Sequence, residues 1–147
     1  MKHNLILKVV SKFLIPLIFL FALYVQFHGD FGPGGGFQAG VIFSAAIILY
    51  ALVFGIDDAK KVIPPYLLRV LASLGVLIYA GTGVASLMLG GNYLEYGVLA
   101  SSQVAGQHLG ILVIELGVGM TVMAVMLIMF FAFAERGRPE EDEETGV

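Results

Sequence analysis

Cysteine is missing from the 147-residue chain, which excludes disulfide frameworks, thiolate-bound zinc and iron–sulfur clusters from it. Charge is scarce as well. Only 13% of residues are Asp, Glu, Lys or Arg, against about 25% in soluble domains. A chain this short exposes a large share of its surface when folded, so a composition that is 59% hydrophobic cannot be hidden in a core of its own. The composition is that of an integral membrane protein. There is no G-K-[ST] to make a phosphate-binding loop. No nucleophile–base set and no metal-ligating cluster is visible either, so the chain is expected to be no enzyme and to hold no metal or cofactor. No nucleic-acid partner is expected.

What is present is apolar sequence in four runs. Basic residues Lys2, Lys8 and Lys12 precede the first. This start resembles a signal peptide, but no A-x-A-like cleavage site follows, and the run is expected to stay as a transmembrane helix. The four spans predicted are about 9–27, 37–55, 66–89 and 106–134, each near or above the ~20 residues that cross a bilayer. Pro16 falls near the start of the first, where proline is least disruptive. Pro64-Pro65 marks the start of the third. Asp57-Asp58-Ala59-Lys60-Lys61 reads as a charged loop, and Tyr93 and Tyr96 between the last two spans suit a membrane–water interface. Residues 135–147, with five consecutive acids from Glu140 to Glu144, read as a disordered charged tail. The expected fold is therefore all-α, one domain of four transmembrane helices over residues 1–134.

All eight Lys and Arg residues lie at the N-terminus, in or beside the second loop, or at the C-terminus; the first and third loops have none. By the positive-inside rule both termini are cytoplasmic, and the first and third loops face outward.

Two features interrupt the apolar pattern. The first is His28-Gly29-Asp30-Phe31-Gly32-Pro33-Gly34-Gly35-Gly36-Phe37-Gln38 between the first two spans. Proline and three consecutive glycines there prevent a continuous helix and permit a tight path that other residues cannot follow. Gly34–Ala39 also fits G-x-G-x-x-A, but a dinucleotide site needs a preceding strand, and a membrane helix precedes this one. The second is Glu115, the one acid well inside a span. It is predicted about 13 Å along a helix starting at Gly106, near the middle of a ~30 Å hydrocarbon layer. A carboxylate at that depth is costly unless paired, protonated or hydrated, so it is either an ion-carrying group or an interface hydrogen bond.

His108 lies seven residues before Glu115 and shares its helix face, with Gly119 continuing that face. Gly106, Gly110, Gly117, Thr121 and Ala124 form a second stripe of small residues suited to close helix packing. His28, Asp30 and His108 are expected near the outer surface, and with Glu115 they are the ion-path candidates. Two histidines at helix ends also admit a haem reading, which a dithionite-reduced spectrum lacking a b-type α-band would exclude.

The stretch His28–Gly40, and above all Pro33-Gly34-Gly35-Gly36-Phe37, resembles the signature of the MnhB/MrpB family, the B subunit of Mrp-type multisubunit cation/proton antiporters. The four helices and cytoplasmic termini fit that resemblance. It implies an accessory subunit in a hetero-oligomer of the prokaryotic cell membrane that exchanges Na⁺, or another monovalent cation, for H⁺. Partners would be the other subunits of the complex and the bilayer. Pro33 and Phe37 match motif positions tied to assembly and activity, and Gly34, Gly35, Gly36 and Gln38 complete the motif. Related B-type subunits occur in membrane-bound hydrogenases similar to respiratory complex I, which leaves a purely structural scaffold of such an assembly as the alternative. Glu115 and His108 match no family motif. On this reading any chemistry lies at Glu115, away from the glycine-rich hinge.

Overall fold

The computed structural model describes residues 2–136. Within them the chain forms helices α1 (Lys2–His28), α2 (Gly36–Phe54), α3 (Ile56–Val62), α4 (Pro65–Met88) and α5 (Gln103–Arg136), with a single 3₁₀ turn at Tyr96–Leu99. Four of these, the exception being α3, are long and apolar enough to cross a membrane. Large hydrophobic side chains such as Phe13, Leu20, Leu52 and Leu77 remain exposed on them, as expected of helices that meet lipid or other membrane helices.

The helices differ from the predicted spans in instructive ways. Because α1 begins at Lys2, Pro16 lies in mid-helix and not near its start. There it cannot donate to the carbonyl of Lys12. The charged segment 57–61 is not a loop but part of α3. Its acids, Asp57 and Asp58, stand in the first turn and its bases, Lys60 and Lys61, in the last, the order the helix dipole favours. Ala59 fastens α3 to the protein by full burial in the hydrophobic core. Glu135 and Arg136, assigned to the tail, instead complete α5; the rest of the tail, and with it the acidic run, lies outside the described residues.

Helix α5 is the spine, packing on α4 along one side and α2 along another, while α1 packs chiefly on α2 and α4 barely reaches beyond α5. The stripe of small residues on α5 serves two contacts. At Gly117 the backbone meets Gly75 of α4 so closely that a Cβ on Gly75 would lie 2.5 Å from the Gly117 carbonyl oxygen. At Gly106 and Gly110 it accommodates Tyr96 of the 3₁₀ turn. The two ends of the bundle are built differently. Around α3 sits a core of larger side chains, Ile47, Leu68, Leu127 and Phe131 among them. At the α1–α2 connection the helices touch through glycine.

Candidate functional site

The connection between α1 and α2 folds back on the helix it leaves. The His28 carbonyl accepts from the amides of Phe31 and Gly32, both at 3.0 Å, and the Gly35 amide donates to the Val25 carbonyl at 3.0 Å. Two of the carbonyls at the end of α1, those of Val25 and His28, thereby gain partners. Gly35 turns at φ 121° to start α2, a conformation that disfavours any residue with a Cβ. The hinge is thus a fixed turn with a defined path.

Its inner side rests on Glu115. A Cβ on Gly29 would collide with the Glu115 carboxylate, and one on Gly36 with the Glu115 backbone carbonyl. A Cβ on Gly35 would lie 3.1 Å from Oε1. The structure corrects the separation of the hinge from Glu115 expected from sequence, because the two are in contact. Since α5 starts at Gln103, Glu115 is about 18 Å along it. Its carboxylate lies against the amino end of the 19-residue α2, where no side chain caps the first turn and the helix dipole favours negative charge. Among the described residues the carboxylate has no hydrogen-bond or ion-pair partner.

The carboxylate is half-buried and opens into a cleft of about 380 Å³ between α1 and α5, lined by Phe27, Asp30, Phe31, His108, Leu112 and Glu115. Across its mouth the Nδ1–H of His108 donates to the Asp30 carboxylate. This is an ion pair when the ring is protonated, and it ties the hinge to the first turns of α5 over 78 positions of sequence. Phe31 stacks on the same imidazole, with ring centroids 6.4 Å apart. Three of the four candidates for an ion path, Glu115, His108 and Asp30, therefore line one cavity. His28 does not join them: it ends α1 with its ring stacked on Tyr24 at 4.9 Å.

The motif residues divide by burial. Gly35 and Gly36 are buried, whereas Pro33, Phe37 and Gln38 are exposed, Phe37 over 60% of its surface. Gln26, unremarked in the apolar run of the first span, is 4% exposed, and its amide nitrogen has no partner among the described residues. Its Oε1 would lie 2.5 Å from a Cβ on Gly119, one turn along α5 from Glu115. The available signal was a lone amide among hydrophobic residues. An orphaned buried donor costs about 1–3 kcal/mol, so Gln26 is a polar group placed at the inner side of the glycine contact against the local energetic preference. Among the described residues no group of three or more potential metal ligands is assembled.

A family model described as a domain related to the MnhB subunit of Na⁺/H⁺ antiporter matches residues 6–128, a range that includes the hinge, Asp30, His108 and Glu115. Relatives whose names describe an antiporter subunit, mnhB2, occur in Staphylococcus aureus strains Newman and COL. Each is 31% identical over 138 residues, covering 91% of this chain and 97% of theirs.

Proposed function

The chain belongs to the MnhB family, and on that premise we propose that it is a non-catalytic subunit of a multisubunit monovalent cation/proton antiporter in a prokaryotic cell membrane. Both termini face the cytoplasm in this reading, which puts the hinge and the cleft in the outer half of the bilayer. Na⁺ and H⁺ are the transported ions, and the remaining subunits of the complex are the partners. The cleft lines part of the ion path. Glu115 carries the proton or cation, while Asp30 and His108 guard its outer mouth.

The observation that carries this reading is the Glu115 carboxylate, inside a helix long and apolar enough to cross a membrane, open to a cavity and without a partner among the described residues. A purely structural acid would be expected to spend its hydrogen-bonding capacity inside the fold. The amino end of α2 makes the ionised form tolerable without neutralising it, as exchange of a bound ion requires. In the purified, assembled complex, Glu115→Gln is expected to lower antiport by roughly tenfold or more, the scale of one 1.4 kcal/mol step in a barrier, with subunit composition unchanged. Full antiport from an intact Glu115→Gln complex would remove Glu115 from the path.

A second reading, that the chain is only a scaffold, is favoured by the exposed Pro33 and Phe37, which offer a rigid apolar knob to a neighbouring subunit. Under it Glu115→Gln leaves transport unchanged and Phe37→Ala releases the chain from the complex.

A further inference from the structure

The opposite end of the bundle holds a second cleft, of about 400 Å³, between the start of α4 and the end of α5. Its walls are apolar, with Leu68, Ile128, Phe131 and Ala132, and its rim carries Lys60, Arg69 and Glu135. Lys60 pairs with Glu135 and lies over the Phe131 ring at 5.9 Å. Arg69 is exposed and has no ion-pair partner among the described residues. Among the described lining residues the rim therefore has two cations and one carboxylate, one positive charge in excess. Ile128 is seven residues from Glu135, so the apolar wall descends about 10 Å below the charged rim.

We propose that this cleft is a binding site for an anionic phospholipid, with the phosphodiester held by Arg69 and Lys60 and the upper acyl chain against Ile128 and Ala132. An amphiphile matches both halves of the cleft. One phosphodiester charge balances the excess cation, whereas a zwitterionic headgroup would restore the excess with its own ammonium. Arginine suits the role because its planar donor set meets phosphate oxygens two at a time. Lysine and arginine at a bilayer surface attract anionic lipid. Glu135 competes with the phosphate for Lys60 and sets the affinity. None of this depends on what the complex transports.

The test uses the full chain in its purified complex and a phosphatidylglycerol bearing a diazirine on one acyl chain. Crosslinks are mapped by peptide mass spectrometry. Label is expected in the Ile128–Ala132 segment, displaced by unlabelled phosphatidylglycerol but not by phosphatidylcholine or inorganic phosphate. Arg69→Gln should lower the yield about fivefold, the worth of one interfacial cation, and Glu135→Gln should raise it by a similar factor. Should the Arg69 variant fail to assemble, Glu135→Gln carries the test alone. No label in the segment overturns the proposal, as do yields unchanged by the variants. Equal displacement by phosphatidylcholine reduces the cleft to an apolar groove, and displacement by inorganic phosphate makes it a free-anion site; either result overturns the lipid.

Discussion

The two ends of this bundle solve the same packing problem with different materials. Near α3, helices α2, α4 and α5 are held apart by Ile47, Leu68, Leu127 and Phe131 and meet through interdigitated side chains. One ion pair there, Lys60 with Glu135, sits on the rim, Glu135 half exposed, and a second, Lys61 with Asp58 at 2.8 Å, lies on α3. Near the hinge there is no room for side chains: α2 meets α5 through Gly36 against the Glu115 carbonyl and Gly40 against the Gly119 carbonyl, 2.6 Å from where a Cβ would stand. The space gained is used to enclose a carboxylate. A side-chain core can adjust to a small change of volume by rotating its members. A backbone-to-backbone contact has nothing to rotate.

That contrast can be broken by changing one carbon at each end. Gly36→Ala adds a methyl where only a backbone carbonyl can yield. It is expected to cost about 3 kcal/mol or more, at the top of the range for overpacking, and to appear as loss of the subunit from the purified complex. Normal recovery and thermal stability of this variant would show that the hinge is softer than its geometry. Ile47→Val removes one methyl from the core at the other end, where Ile47 is 6% exposed. A cost of about 1 kcal/mol is expected, visible as a small fall in melting temperature with assembly retained. If the order of these two effects were reversed, the distinction between the ends would fail. The smallest effect should come from Asp30→Asn, which breaks the pair with His108 at the mouth of the cleft. With the His108 side chain 55% exposed, the stability loss should stay under ~1 kcal/mol. A clearly greater loss would mean that a neighbouring subunit shields the pair from water.

Much of the fold was legible because its signals are local. A run of some twenty apolar residues crosses a bilayer whatever its neighbours do, and Pro65 does begin α4. Where local signals misled, tertiary context was the cause. Residues 57–61 look like a loop because they are charged, yet Ala59 finds a buried seat in the core and the charges happen to suit a helix dipole. Pro16 looks like a starting residue because the hydrophobic run starts just before it, but the helix extends further back.

The site was half legible. Glu115 announces itself by chemical type alone, since an acid in an apolar run is costly whether it carries an ion or makes an interface hydrogen bond. Its shared face with His108 follows from helical spacing. Nothing in spacing indicates that Asp30 would meet His108, or that His28, two residues earlier and chemically the better guess, would turn away to stack on Tyr24. Gln26 was passed over because one amide scarcely lowers the hydrophobicity of its run, and only its burial without a partner marks it.

Composition and the four apolar runs determined by themselves that the chain has four segments able to cross a membrane, and the hinge motif that the first two are separate helices, because bilayer thickness and proline and glycine stereochemistry act on a few residues at a time. Only the tertiary structure decided that the glycine hinge and Glu115 are one site. That contact joins residues far apart in sequence, and it exists because α2 and α5 approach until their backbones touch, which the lack of Cβ atoms permits but does not require.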